Sequence, residues 1–186
     1  MTPLTANLIS FLSFGNIILN VLAVAMIAAL FMPKKSWAQK LTALVNKYAL
    51  EVSFVLVTTA TFGSLYLSEI ALFSPCKYCW FQRIFMYPLV VLTLIALVKK
   101  DLRRIYDYIL GLSIIGTLIA AYHYFLQFGP LPPKPCEVVG YYSESCSEKL
   151  FVQFGYITIP MMALSVFLVV SLGMYIVRRN QKDPQP

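Results

Sequence analysis

Residues 74–83 read Ser-Pro-Cys-Lys-Tyr-Cys-Trp-Phe-Gln-Arg and lie between one long apolar segment and the next. Two residues separate Cys76 from Cys79, and Arg83 follows four residues after Cys79. On a soluble loop, such a cysteine pair fits a zinc half-site, a redox pair or a chance occurrence. At the mouth of a membrane helix the choice is narrower, so the segments on either side decide the interpretation.

The composition indicates a protein that is surrounded by lipid. Of the 186 residues, 59 % are hydrophobic and only 12 % are charged, whereas ordinary globular domains carry about 25 % charged residues. The formal net charge is +7, which suits either nucleic acid or a membrane surface. The positions of the basic residues separate these two possibilities.

Five apolar segments are long enough, or nearly so, for a transmembrane helix, which needs about 20 residues. They cover approximately residues 8–32, 48–73, 80–98, 105–127 and 156–177. The first segment could be a signal peptide, but it lacks a basic start, and Lys34 and Lys35 follow it as in a stop-transfer sequence. The sequence therefore predicts an all-α integral membrane protein that retains its first helix. Asn16 and Asn20, one turn apart on this helix, predict a helix–helix contact.

The basic residues predict the orientation in the membrane. Eleven lie in residues 34–47, 99–104 and 178–182, which share one side, and only Lys77, Arg83, Lys134 and Lys149 lie elsewhere. Because basic residues favour the cytoplasmic side, we expect the N-terminus outside and the C-terminus in the cytoplasm. The charge is then a topology signal, and nucleic-acid binding is not expected.

This topology places all four cysteines on the outer side. Cys76 and Cys79 are at the outer end of the third span, and Cys136 and Cys146 are in the loop of residues 128–155. The outer compartment permits disulfides. The loop begins with four prolines between Gly129 and Cys136, which favour an extended arm, and residues 144–154 are expected along the membrane surface.

The start of the third span favours thiolate chemistry. Ser74 is expected to be the N-cap and Pro75 the first helical residue, so that the cysteine pair occupies the first turns. A helix N-terminus stabilises a thiolate, and Arg83 lies one turn beyond Cys79 on the same face. Arg83 would favour a thiolate at Cys79 and could polarise a ligand carbonyl. The alternatives are an arginine that extends to the membrane interface and a static disulfide.

His123, the only histidine, lies in the outer part of the fourth span at about the depth of Arg83. Ionisable groups in a membrane are costly and are candidates for function, although an interfacial histidine among aromatic residues is the alternative. A zinc site is not expected, because nine residues separate Cys136 from Cys146 and His123 does not obviously complete a set of ligands.

Together these residues resemble the DsbB/BdbC family of membrane disulfide-formation proteins. The similar features are the stretch Cys76–Arg83, the stretch His123–Gln127 before a proline-rich arm with Cys136, and the later Cys146. Residues 154–160, Phe-Gly-Tyr-Ile-Thr-Ile-Pro, are similar to the BdbC side of the family. The resemblance covers about residues 48–177. It differs from the family in an additional N-terminal helix and, compared with the DsbB side, in a short Cys136–Cys146 loop.

The resemblance implies a four-helix bundle in the bacterial cytoplasmic membrane that re-oxidises a DsbA-like, thioredoxin-fold thiol oxidase. The electrons would pass to a membrane quinone, either ubiquinone or menaquinone, and no metal is implied. Cys136 would form the mixed disulfide with the partner and pair with Cys146. Cys76 would exchange with the loop cysteines and pair with Cys79. Cys79 would face the quinone as a thiolate, with Arg83 and His123 near the ring oxygens.

The predicted organisation is an N-terminal helix with a cytoplasmic loop (1–47), the four-helix bundle (48–177) and a cytoplasmic tail (178–186). Two other functions stay open at this point. One is a quinone-linked protein that works in the reducing direction, and the other is a membrane scaffold with static disulfides.

Overall fold

The computed structural model describes residues 2–99, 103–129, 146–147 and 149–182. Five helices account for most of these residues: α1 (Pro3–Phe31), α2 (Ser36–Leu65), α3 (Lys77–Val98), α4 (Arg103–Phe128) and α5 (Ile159–Lys182). A π-helical turn, Tyr66–Ile70, continues α2. All five helices are long and apolar enough to cross a membrane. The predicted all-α membrane architecture with five spans is therefore confirmed.

The helix boundaries follow local chemistry rather than hydropathy alone. Thr2 caps α1 by accepting a hydrogen bond from the backbone nitrogen of Thr5, and Pro3 occupies the first helical position, where proline is tolerated. α1 ends at Phe31, and Met32, the residue before Pro33, has a non-helical backbone with φ −122° and ψ 56°, in agreement with the steric restriction that disfavours the helical conformation before proline. α2 begins at Ser36, well before the predicted span at residue 48, because an amphipathic helix can continue beyond the lipid while a hydropathy pattern marks only the apolar part.

Two predicted helix starts are wrong. Cys76, rather than Ser74, is the N-cap of α3, and the first helical residue is Lys77 rather than Pro75. The chain between the π-helical turn and Lys77 is not helical. α5 starts at Ile159, after the predicted residue 156, because residues 153–157 form a tight turn that an antiparallel bridge closes. Gly155 has a φ of 78° in this turn, a conformation that glycine adopts without a steric penalty.

Helices α2 to α5 form a closed four-helix arrangement. α2 packs against α3 and α5, and α4 packs against α3 and α5. α1 lies outside this ring, against α2 and α5. With contacts to α1, α2 and α4, α5 is the most buried of the five helices. The C-terminal ends of α2 and α4 and the N-terminal ends of α3 and α5 meet at one end of the bundle.

Polar side chains attach α1 to the bundle. Ser165 of α5 donates a hydrogen bond to Asn20 Oδ1 at 2.6 Å, and Asn20 Nδ2 donates to the Tyr156 hydroxyl at 3.4 Å. Near the N-terminus of α1, the hydroxyls of Thr5 and Tyr66 lie 3.3 Å apart. The predicted helix–helix contact is thus confirmed for Asn20, whereas the Asn16 amide makes no hydrogen bond to the described residues.

The interface between α4 and α5 depends on a close approach at Gly116. The Phe167 ring of α5 is fully buried and lies over Gly116 of α4, where a Cβ atom would overlap the ring. Ser171 adds a hydrogen bond from its hydroxyl to Ser113 Oγ at 3.0 Å. Glycine therefore allows the two helices to pack with the aromatic ring between them.

We expect Gly116→Ala to lower the free energy of unfolding by about 1–3 kcal/mol, because overpacking forces a buried side chain out of place. The measurement is thermal unfolding in detergent micelles. Gly111→Ala is the matched control on the same helix, since a Cβ atom there meets no atom within 4 Å and alanine favours a helix over glycine. An unfolding temperature of Gly116→Ala equal to that of the control would contradict the close approach.

Candidate functional site

Cys76 and Cys79 lie together at the N-terminus of α3. Both are free thiols, and their sulfur atoms are 3.4 Å apart. Cys76 is the N-cap residue, with φ −71° and ψ 172°, and it is buried. Cys79 lies in the first turn of α3. The structure therefore shows the reduced pair in direct contact, at the end of a helix whose dipole favours negative charge.

His123 of α4 contacts Cys76 rather than Cys79. Its Nε2 atom lies 3.5 Å from Cys76 Sγ, and its Nδ1 atom lies 3.2 Å from the amide nitrogen of Gln82. Because the Gln82 amide N–H donates to Nδ1, the neutral imidazole carries its proton on Nε2. That proton faces the sulfur of Cys76. His123 is only 1 % exposed, and its two ring nitrogens face Gln82 and Cys76.

These contacts favour the thiolate form of Cys76. The hydrogen bond with the Cys79 thiol, and after it the hydrogen bond with His123, lowers the pKa of Cys76 from 9.0 to about 4, against the opposing effect of burial. A hydrogen bond that is made to the charged form stabilises that form. In the dithiol state Cys76 is therefore the cysteine that ionises. The expectation that Cys79 faces a quinone as a thiolate beside Arg83 stays a prediction.

Arg83 is buried between the helices. Its Nε atom donates to Ser64 Oγ, and its Nη2 atom donates to the carbonyl oxygen of Ser64, both at 2.9 Å. The guanidinium also lies 5.2 Å from the ring centre of Trp80, within the range of a cation–π interaction. Ser64 stands just before the π-helical turn of α2, a type of turn that often marks functional sites. The contacts with Ser64 fix the guanidinium inside the bundle.

Among the residues that the structure describes, no carboxylate forms an ion pair with Arg83. The ion pair of these residues joins Arg178 to Asp107. A buried charge without a counter-ion is costly, and intramembrane charges usually mark functional sites. The guanidinium therefore has unused capacity to donate hydrogen bonds to an electron-rich ligand.

A cavity of about 370 Å³ lies beside Cys79 and Arg83. Its volume falls within the range of ligand sites, about 300–1,000 Å³. Most of its wall is apolar, and side chains of α1, α2, α3 and α5 form it together with residues 73–75 and Leu150. Its polar lining residues include Asn16, Ser64, Cys79, Gln82 and Arg83. An apolar cavity with a few polar groups and one cation fits an amphiphilic ligand that carries electron-rich oxygens.

A smaller cavity, of about 30 Å³, lies beside Cys76 and His123. Its wall also includes Cys79, Gln127 and residues 158–160. Cys79 therefore lines both cavities, whereas Cys76 and His123 line only the smaller one. The predicted contact of His123 with a quinone ring stays a prediction, and the observed geometry favours a role at Cys76.

The same three side chains could offer ligand atoms to a metal ion. The sulfur atoms of Cys76 and Cys79 and a ring nitrogen of His123 lie within 4.8 Å of one another. A structural zinc site takes four ligands. Cys146 does not provide a thiolate, because it is disulfide-bonded. The prediction that the protein holds no metal is not tested by this geometry.

Of the two loop cysteines, Cys146 is among the residues that the structure describes. Cys146 is buried and disulfide-bonded. Cys136 and the proline-rich arm lie outside the described residues, as do residues 144, 145 and 148 of the segment expected on the membrane surface. Of that segment, Leu150 and Phe151 line the smaller cavity.

Three residues of the site carried no predicted role in catalysis or ligand binding. Gln82 lies within residues 74–83. Its position three residues after Cys79 could have suggested a hydrogen bond to another polar side chain near the cysteines. Ser64 is one small polar residue in an apolar segment and gives no signal of its own. Asn16 was expected only in a helix contact, whereas it lines the larger cavity.

Known proteins that are similar to this chain identify its family. The family model described as "Disulfide bond formation protein DsbB" matches residues 46–177. The chain belongs to the DsbB family. It is 41 % identical over 136 residues to "Probable disulfide formation protein C 1" of Bacillus anthracis, covering 73 % of this chain and 96 % of that protein. It is 40 % identical over 136 residues to "Disulfide bond formation protein C" of Bacillus subtilis (strain 168), covering 72 % and 95 %.

A third relative is the "SPbeta prophage-derived disulfide bond formation protein B" of Bacillus subtilis (strain 168). It is 39 % identical over 133 residues, which cover 71 % of this chain and 87 % of that protein. No solved structure matches the chain significantly. Family membership supports a role in disulfide formation at a membrane, and the predicted resemblance, including its BdbC side, is confirmed. The family match begins at residue 46, so α1 lies outside it.

We expect the reduced protein to carry one thiolate at pH values well below those of ordinary thiols. The pKa of Cys76 is lowered to about 4, so the thiolate is present above that pH and is lost as the pH falls through it. The ultraviolet absorbance of the thiolate should stay constant between about pH 6 and pH 8, where an ordinary thiol begins to ionise. Cys76→Ser should remove this absorbance.

The role of His123 is tested in the same titration. His123→Gln removes the imidazole and should move the midpoint to higher pH, because one of the groups that stabilise the thiolate is lost. Tyr122→Phe, at the neighbouring position, is the control and should keep the midpoint of the unmodified protein. A midpoint of His123→Gln that coincides with this control would contradict the contact.

Proposed function

We propose that the protein re-oxidises a thioredoxin-fold thiol oxidase outside the cytoplasmic membrane and passes the electrons to membrane quinone. The observation that carries the proposal is the position of Cys79, which contacts Cys76 on one side and lines the cavity of Arg83 on the other. Family membership supports the disulfide chemistry. The apolar cavity and the guanidinium of Arg83, which has no carboxylate partner in the described residues, support an electron-rich, lipid-soluble ligand such as quinone.

The first exchange in this proposal takes place at the loop pair. A thiolate of the reduced partner attacks the Cys136–Cys146 disulfide at Cys136 and forms a mixed disulfide. The second thiol of the partner resolves it, so that the partner leaves oxidised and the loop pair becomes a dithiol. Thiol–disulfide exchange of this kind requires an exposed acceptor and a good leaving thiolate. The disulfide-bonded state of Cys146 supports the pairing with Cys136.

The second exchange moves the electrons to α3. A loop thiolate attacks Cys76 of the oxidised Cys76–Cys79 pair, the bond between these two sulfurs breaks, and Cys79 leaves as a thiolate. The other loop thiol then displaces Cys76. The loop disulfide is restored and α3 holds the dithiol. The contact of His123 with Cys76 favours the departure of Cys76 as a thiolate at this point.

Re-formation of the Cys76–Cys79 disulfide releases two electrons and two protons. A quinone held beside Cys79 would supply the acceptor for both electrons and both protons. Arg83 would hold an oxygen of the ligand by hydrogen bonding, since its guanidinium lines the cavity and carries an unneutralised charge. The apolar wall excludes water, which strengthens each of these polar interactions.

The same proposal places the cysteines on the outer side of the membrane. Both cavities lie at the end of the bundle where α2 and α4 finish and α3 and α5 begin. The basic residues of segments 34–47, 99–104 and 178–182 that the structure describes lie towards the opposite end, where α1 and α3 finish and α2 and α4 begin. The positive-inside rule then assigns that opposite end to the cytoplasm.

The electron route predicts that Cys79→Ser abolishes quinone reduction, because the serine cannot complete the disulfide that releases the electrons. Anaerobic single-turnover absorbance measurements with a reduced thioredoxin-fold partner and a short-chain quinone would follow this step. The variant should still form a disulfide between Cys76 and a loop cysteine. Lys77→Gln, at an exposed position between the cysteines, is the control and should turn over normally.

Three results would overturn the proposal. Quinone reduction at the normal rate in Cys79→Ser would remove the assigned route. Reduction of an oxidised partner by quinol, faster than the forward reaction under matched conditions, would assign the protein to the reducing direction. Cysteines that never exchange with any partner would favour a scaffold with static disulfides.

The hydrogen bonds of Arg83 predict a second, graded effect. Ser64→Ala removes one hydrogen bond to a charged group, worth about 1.5–3 kcal/mol, so we expect a KM for quinone raised by at least about tenfold. The KM for the partner should not change, since Ser64 does not line the smaller cavity. Thr42→Ala, which removes a hydroxyl near the other end of α2, is the control. Equal changes in both KM values would contradict the role of Arg83.

A further inference from the structure

The additional helix α1 forms part of the wall of the larger cavity. Six of its residues line this cavity, namely Phe11, Leu12, Gly15, Asn16, Ile18 and Leu19. Their spacing places them along one face of the helix. α1 is also the helix that lies outside the family match at residues 46–177. The cavity beside Cys79 is thus built partly from a segment outside that match.

Asn16 is the exceptional polar residue on this face. Its side chain is only 3 % exposed, and neither its Oδ1 nor its Nδ2 atom has a hydrogen-bond partner among the described residues. Two other polar side chains of α1 that are at least half-buried make hydrogen bonds: Ser13 donates to its own helix, and Asn20 bonds to Ser165 and Tyr156. A buried amide with both groups unused is costly, and it faces a cavity large enough for a ligand.

The chemistry of the amide restricts the ligand. Asparagine offers both a donor and an acceptor, whereas arginine offers only donors. A carbonyl oxygen accepts the N–H of Asn16, and after reduction the resulting hydroxyl can donate to its Oδ1 atom. Asn16 can therefore bond to both redox forms of a quinone head group, which Arg83 alone does less well. The Tyr87 hydroxyl also lines the cavity without a hydrogen-bond partner in the described part of the chain.

We infer that α1 completes the quinone site and that Asn16 binds an oxygen of the head group in both its oxidised and its reduced form. This inference rests on the proposed function, because it assigns a second polar contact to the ligand of the same cavity. It gives the additional helix a part in ligand binding, beyond its packing against α2 and α5.

The test compares Asn16→Leu with the unmodified full-length protein. Leucine is close in size and removes both polar groups, so we expect the KM for a short-chain quinone to rise by about fivefold to tenfold, the loss of one net hydrogen bond. The KM for the dithiol partner should not change. The rise in unfolding temperature on adding the quinone should become smaller, while the ligand-free variant should unfold at the same or a higher temperature.

Two further variants keep the test decisive. Gly15→Leu places a side chain into the cavity wall at a position where a Cβ atom meets nothing within 4 Å, and Gly111→Leu makes the same change at an equally open position on α4 outside the cavity. Only Gly15→Leu should weaken quinone binding. Asn20→Leu removes the hydrogen bonds to α5 and should lower the ligand-free unfolding temperature instead.

The outcomes separate this inference from the proposed function. If the unmodified protein neither binds nor reduces quinone, the proposed function fails, and the inference fails with it. If it does both and Asn16→Leu shows the same KM and the same ligand-induced temperature shift, only the inference is overturned. Should Asn16→Leu fail to fold, Asn16→Ala and Gly15→Leu provide the same comparison.

Discussion

The contact between the sulfur atoms of Cys76 and Cys79 is the interaction on which the other features of the site depend. Because Cys76 is the N-cap of α3 and Cys79 lies one turn later, the two sulfurs meet but their surroundings differ. His123 and the small cavity are on the side of Cys76, whereas Arg83 and the large cavity are on the side of Cys79. The four helix ends that meet here supply these different neighbours to a single pair of thiols.

A second constraint is the burial of polar groups in an otherwise apolar bundle. Arg83 donates to Ser64 but has no carboxylate partner in the described residues, and Asn16 has no hydrogen-bond partner there. Elsewhere in the bundle, buried hydroxyls such as those of Thr93 and Ser171 donate to their own helix. Two residues with unpaired polar atoms, Asn16 and Tyr87, thus line the larger cavity together with Arg83. Because such groups cost stability, their position there supports a site for a polar head group.

Much of the fold could be predicted because lipid leaves few alternatives. Apolar segments of sufficient length become helices, so all five spans were found, although α2 starts earlier and Cys76, not Ser74, caps α3. The cysteine pair and Arg83 were also found, since their spacing on one helix is a local property. The contact of His123 with Cys76 could not be predicted, because similar depth in two helices does not determine which atoms meet. The cavity wall formed by α1 depends on helix packing, which the spacing of Asn16 and Asn20 indicates only in general.

The two cysteines have different neighbours, and this difference supports different roles for them in the proposed reaction. Only Cys76 has an imidazole beside its sulfur, and only Cys79 lines the larger cavity as well as the smaller one. The cysteine that exchanges with another protein thiol benefits from a lowered pKa, because a stable thiolate leaves readily. The cysteine that faces a lipid-soluble acceptor requires a dry, apolar wall instead. Exchanging the two roles would place the histidine away from the sulfur that departs when the loop disulfide forms again, so the position of His123 supports the proposed order of electron transfer.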